Sequence, residues 1–326
     1  MYSWSGDTSD WYGSETYDFD PAHRAAREHE AARAGAAGPR TYEEKGRPLQ
    51  ALIDPKRAIA CSSKTPIIVA VDVTGSMARW PFEIFDRLPL LYMTLHQYRP
   101  DLEICFAAIG DARYDQWPLQ VTGFAKGYDL EQQLKALYGE GGGGDGPEGY
   151  GLFAWYMLNR VSTPNAAEPP FLIVYGDAPM HETVHGKEIE QVCGVSAQNQ
   201  NAIQLWQAVA QRYNTWFLRR PTGSAGDEVD QQWFQALGPQ QVARVHDEAR
   251  AIDYALGIVA RSWGRFEDFK QNMAARHAKE KVDDLARRIV EEVKPRVLHC
   301  PSCMAGLPPT AFGRWVCEYC KATLDL

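Results

Sequence analysis

The chain has no run of even roughly eighteen consecutive apolar residues, so no segment reads as a membrane-spanning helix. Its first twenty residues contain no Lys or Arg. They offer neither the basic start nor the apolar stretch of a secretory leader. Together these absences predict a cytoplasmic protein. Positive charge is also scarce: the net charge of −8 argues against a globally basic nucleic-acid binder. Seven cysteines in 326 residues are too few and too scattered for a disulfide framework. Two catalytic signatures are missing as well. The glycines of 141–148 lack the Lys-Ser/Thr ending of a phosphate-binding loop, and no Gly-x-Ser-x-Gly elbow occurs.

What is present is a set of polar loops placed after buried runs. Pro66-Ile67-Ile68-Val69-Ala70-Val71 reads as a fully buried strand, and Asp72-Val73-Thr74-Gly75-Ser76 follows it. A second apolar run, Phe171 to Tyr175, leads into Gly176-Asp177-Ala178-Pro179. Between them lies Gly141-Gly142-Gly143-Gly144-Asp145-Gly146-Pro147-Glu148. Carboxylate and hydroxyl oxygens converging from such loops suit a hard divalent cation such as Mg²⁺.

The Asp72-x-Thr74-Gly-Ser76 loop resembles the first loop of the metal-ion-dependent adhesion site (MIDAS) of von Willebrand factor type A (VWA) domains, with Thr74 where Ser is usual. The Gly-Gly-Gly-Asp-x-Pro-Glu and Asp-Ala-Pro loops are similar to those of intracellular members. The resemblance covers about Pro66 to Ala260. It implies direct hydroxyl ligands from Thr74 and Ser76, and direct or water-mediated binding by Asp72. It further implies a water held by Asp177, and Asp145 in place of the usual second-loop Thr. Asp111 and Asp115, with Arg113, would stand at the rim or serve as ordinary turn residues, and Glu148 would fall in the first turn of a helix. The ion would be Mg²⁺, with Mn²⁺ or Ca²⁺ as substitutes, and its open position would accept an Asp or Glu carboxylate from a protein partner. Three carboxylates around a divalent ion overneutralise it, so metal should bind more tightly and an acidic ligand more weakly than at a Thr-containing site. A polar cluster without metal, or a purely structural ion, are the alternatives. His181 and His185, lacking a third ligand, read as exposed loop histidines.

Alternation of buried strands with amphipathic helices predicts an α/β fold. The expected form is a Rossmann-like, doubly wound, mostly parallel six-stranded sheet with an antiparallel edge strand. Strands are placed near 66–72, 102–109, 118–123, 171–176, 214–218 and 242–246. Helices are placed near 81–98, 129–138, 147–160, 197–212, 229–237 and 248–262. Residues 1–20 form an aromatic and acidic tail, read as disordered or as a docking segment, and 21–60 a helix and linker. The VWA domain is expected over 61–262. A single amphipathic helix then covers 265–294 within a 263–296 segment, packed on its own domain or offering an oligomer or partner contact. The sharpest pattern lies in 297–326: Cys300-x-x-Cys303 and Cys317-x-x-Cys320 suit tetrahedral, structural Zn²⁺ in a zinc ribbon with Leu307 and Trp315 as its core.

The functional expectation is a non-catalytic, Mg²⁺-dependent protein-interaction module, an adaptor or complex subunit. A metal-assisted phosphohydrolase using the same carboxylates is the first alternative. An RNA-binding ribonucleoprotein component, with ribbon and long helix gripping RNA, is the second, although 261–298 carries ten Lys/Arg against seven Asp/Glu, a mild basic excess and no patch.

Overall fold

In the computed structural model, β1 (Pro66–Asp72) is buried at every position, as a strand covered on both faces must be. Its neighbours are β2 (Glu103–Ile109) and β4 (Phe171–Gly176), both parallel to it. The remaining strands are β3 (Leu119–Val121), β5 (Asn214–Arg219) and β6 (Val242–Arg244), and the order across the sheet is β6-β5-β4-β1-β2-β3. Only β3 runs antiparallel, at the edge beside β2. This is a mixed α/β fold with a mostly parallel central sheet. The structure describes residues 51–77, 80–139, 142, 146–221 and 226–326. The tail at 1–20, the helix and linker up to residue 50, and Asp145 lie outside them.

The chain divides into two compact units, one ending at Ala249 and one starting at Arg250. In the first, helices α1 (Trp80–Tyr98), α2 (Tyr128–Ala136), α3 (Tyr150–Asn159), α4 (Gly186–Cys193), α5 (Ala202–Arg212) and α6 (Gly226–Leu237) connect the strands. Alternate residues Ile68, Ala70, Leu172 and Val174 join Phe153, Trp206 and Trp233 in one apolar cluster. Side chains of period two from strands meet helical stripes of period about 3.6 here, the packing that binary patterning demands. In parallel sheets, ligands gather beyond the carboxyl ends of the strands, where β1 and β4 release Asp72 and Asp177.

The second unit holds α7 (Ala251–Ser262), α8 (Phe266–Ala274), α9 (Lys279–Arg288), a π-turn at Ile289–Val293, and the hairpin β7 (Arg314–Val316) with β8 (Thr323–Asp325). It takes in α7, which the sequence reading assigns to the sheet domain. The single helix expected over 265–294 is not formed. The chain leaves α8 after Ala274, and Ala278 is extended before α9 begins. Met273 and Val282 are buried but nine positions apart, and nothing fully buried lies between them to hold a continuous stripe. Other helices also differ from expectation. The one near 147–160 starts only at Tyr150, because Glu148 pairs in strand-like fashion with Met180. The one near 197–212 starts at Ala202, where the Asn201 side chain accepts from Gln204 N at 3.0 Å. Helix α4 was not anticipated. Among the described residues, no helix is long and apolar enough to cross a membrane.

Candidate metal centres

At the carboxyl end of the sheet, burial and hydrogen bonding fix the polar groups. Asp72 is fully buried, and its Oδ1 accepts from Thr74 N at 2.9 Å and Thr74 Oγ1 at 2.6 Å. Both bonds run two residues along the chain, so they shape the first loop locally. Thr74 Oγ1 lies 3.3 Å from Ser76 Oγ. Ser76 Oγ in turn donates to Asp177 Oδ1 at 2.8 Å, across 101 residues of sequence. Each hydroxyl thus has a carboxylate acceptor, and hydroxyl oxygens so oriented keep lone pairs for a cation. Hydrogen bonds link Asp72 to Thr74 and Ser76 to Asp177, and the two hydroxyls lie 3.3 Å apart; Asp145 lies outside the described residues.

Two residues absent from the sequence reading complete this chain of bonds. The buried Tyr150 hydroxyl donates to Asp72 Oδ2. At the other end, Arg220 Nη1 donates to the Ser76 carbonyl and stands 3.6 Å from Asp177 Oδ2. No local signal marks them, because their partners are distant along the chain.

The glycine loop joins from the side. Gly142 O accepts from Gly75 N at 2.7 Å, tying this loop to the first. A Cβ on Gly142 would overlap the Asp115 carboxylate, so this glycine crowds a neighbouring acid. Glu148 N donates to Pro179 O at 2.8 Å, joining the glycine loop to the third loop. Glu148 therefore precedes α3 instead of occupying its first turn. Its side chain is buried, and its Oε2 finds no hydrogen-bond partner among the described residues.

The rim acids are also ordered. Asp111 is buried; its N–H donates to Asp115 Oδ2 at 2.6 Å and its Oδ1 accepts from Arg113 N at 3.0 Å. Asp111 Oδ2 is 3.0 Å from His181 Nε2. His181 is therefore a paired, largely buried side chain with 10% exposure, and only His185 is an exposed loop histidine.

Crowded acids with little positive charge shift their proton affinities. Burial, then the neighbouring Asp177, pushes Asp72 up to about 7. Burial, then Asp72 and Asp111, pushes Glu148 up to about 9. Asp177 is raised by burial, against the hydrogen bond from Ser76 and the charge of Arg220. A divalent cation would offset the repulsion among these carboxylates, though not their burial, and the hydroxyl and carboxylate oxygens gathered here are donors of the kind such an ion takes.

The cysteine site is built differently. Cys300 N donates to Ala305 O and Met304 N to Cys300 O; Cys317 N donates to Ala322 O and Lys321 N to Cys317 O. The two turns repeat one another bond for bond. Met304 and Lys321, each just after the second Cys of its pair, both have φ of 61°, so even the backbone twist is shared. The four Sγ atoms lie within 4.8 Å of one another. Cys300–Cys320 and Cys303–Cys317 are each 3.7 Å apart, far beyond a disulfide bond. Tetrahedral Zn²⁺ with Zn–S near 2.3 Å requires S···S edges of about 3.8 Å, so the thiols fit it. The Cys317 thiol is brought down to about 6, chiefly by the backbone N–H of Cys320. Leu324, Leu307 and Trp315 pack against the buried Cys300 and Cys317. Among the described residues, this is the group of three or more His, Cys, Asp or Glu gathered tightly enough to hold a metal such as zinc. The sheet-end acids are not gathered to that degree; their two hydroxyls carry the convergence.

No family model matches the chain, and no curated protein matches it. Among solved structures, it is similar to proximal thread matrix protein 1 from the mussel byssus, at TM-score 0.44 and 12% identity over 63% of this chain and 49% of that one. It is similar to the pilus adhesin SpaC from Lactobacillus rhamnosus GG in its open conformation, at 0.41 and 11% over 66% and 31%. A third likeness is to the conserved hypothetical protein BatB from Bacteroides thetaiotaomicron, at 0.38 and 13% over 65% and 99%. The chain thus spans about half the length of the mussel protein and under a third of the adhesin. Scores and identities this low carry no argument about function.

Proposed function

We propose that the sheet unit is a von Willebrand factor type A domain of the intracellular kind, and that it works as a divalent-cation-dependent protein-interaction module. Thr74 and Ser76 would hold the ion through their hydroxyls, with Asp72 and Asp177 orienting them and Asp145 adding a carboxylate from the glycine loop. The bound Mg²⁺ would supply an open coordination position for an acidic group of a protein partner. The observation that carries this reading is the pair of hydroxyls 3.3 Å apart, each matched to a carboxylate from a different strand end. The C-terminal cysteines would hold a structural Zn²⁺, which leaves no open position and so serves shape rather than chemistry. The whole would act as an adaptor or subunit of a larger assembly.

The test is affinity capture with the full chain, once in Mg²⁺ and once in EDTA, beside Asp177→Asn. Partners retained in Mg²⁺ and lost both in EDTA and in the variant support the module. Recovery of the same partners under all three conditions defeats it. Mg²⁺-dependent hydrolysis of phosphoesters that Asp177→Asn abolishes would favour the phosphohydrolase reading instead.

A further inference from the structure

Tyr150 is buried completely, with its ring edge-on to Phe217 at 6.0 Å and to Trp233 at 5.2 Å. Packing alone would be served by Phe at this position. The hydroxyl instead reaches Asp72 Oδ2, the carboxylate oxygen that the first loop leaves unengaged. It passes over Gly176, the last residue of β4, where any Cβ would overlap the phenol. Two positions 26 residues apart in sequence are therefore arranged to bring one donor to one carboxylate. With Oδ2 held by Tyr150, Oδ1 faces Thr74 and accepts the hydrogen bond from its hydroxyl. The Thr74 lone pairs then point toward Ser76 and the cation position.

We propose that Tyr150 is a positioning residue of the sheet-end cation site, fixing Asp72 so that Thr74 presents its oxygen to the ion. This rests on the cation site proposed above. Partners that orient a ligand typically contribute tenfold or more to metal affinity. A ring that merely filled space would change stability equally with and without Mg²⁺ and leave affinity untouched.

The experiment is Mg²⁺ titration calorimetry on the full chain and on Tyr150→Phe, with near-ultraviolet difference spectra recorded as Mg²⁺ is added. The expected result is a roughly tenfold weaker affinity in the variant. The wild type should also show a tyrosine difference band that the variant lacks, because ion binding draws charge from the carboxylate that the phenol touches. Gly176→Ala, which displaces the hydroxyl without removing it, should weaken affinity in the same direction and serves if Tyr150→Phe misfolds. Wild-type binding with unchanged affinity in the variant overturns the role of Tyr150 while leaving the site. No Mg²⁺ binding by the wild type overturns the site itself, and this inference with it.

Discussion

The four thiols and the sheet-end oxygens differ in what holds them. The cysteines come from two short turns fourteen to twenty residues apart, in a segment whose apolar core is a few side chains. So small a core would depend on the proposed ion, whose binding free energy would in effect be the folding energy. The oxygen site is carried on loops about a hundred residues apart, above strands with every position buried. That scaffold folds for apolar reasons and holds its acids together against their repulsion. One site should collapse without metal; the other should only relax.

The strongest way to break this contrast is Cys317→Ser. A structural zinc is worth on the order of 10–16 kcal/mol, so the hairpin of β7 and β8 should lose its fold outright. Amide exchange over 299–326 should rise to unprotected rates and bound zinc should vanish, while protection in β1 and β4 persists. Protected amides throughout 299–326 in a zinc-free variant would show that the ribbon packs without its ion.

A smaller effect sharpens the other half. Asp72 and Glu148 have folded-state proton affinities above their unfolded ones, at about 7 and about 9. Raised groups contribute stability that is complete below the unfolded values, near 4, and is lost as pH rises through the folded values. Without metal, the sheet unit should therefore melt at lower temperature as pH rises from about 5 to about 8. Mg²⁺ binds the deprotonated acids, so the stabilisation it gives should grow over the same interval. Melting curves in EDTA and in Mg²⁺ that stay parallel across that range would contradict the account.

The same contrast governs what was legible in the sequence. The Cys-x-x-Cys pairs announce themselves because their chemistry is local. The strands at 66–72 and 171–176 are legible because a parallel strand buried on both faces must be an unbroken apolar run. The edge position of β3 follows from the short turn before it. Tyr150 and Arg220 were invisible, since each acts on a partner 78 or 144 residues away. The start of α3 was misplaced for the same reason: the backbone bond from Glu148 to Pro179 overrides a helix-compatible sequence. Between Met273 and Val282, the three- and four-residue rhythm continues only through His277, which is half-exposed and too weak an anchor to keep one helix whole.

The smallest effect concerns Arg220, which carries positive charge beside the proposed ion. Its side chain is 24% exposed, so its pairing with Asp177 is partly screened and contributes about 1 kcal/mol at most. Arg220→Ala should therefore lower the EDTA melting temperature only slightly. Its effect on the ion has the opposite sign. Removing a cation 3.6 Å from Asp177 Oδ2 leaves that carboxylate freer for Mg²⁺, so affinity should tighten a few-fold by calorimetry, more at low salt than at high. A loss of affinity would mean that the bond from Arg220 to the Ser76 carbonyl matters more than its charge, and that the first loop must be pinned at both ends to bind the ion.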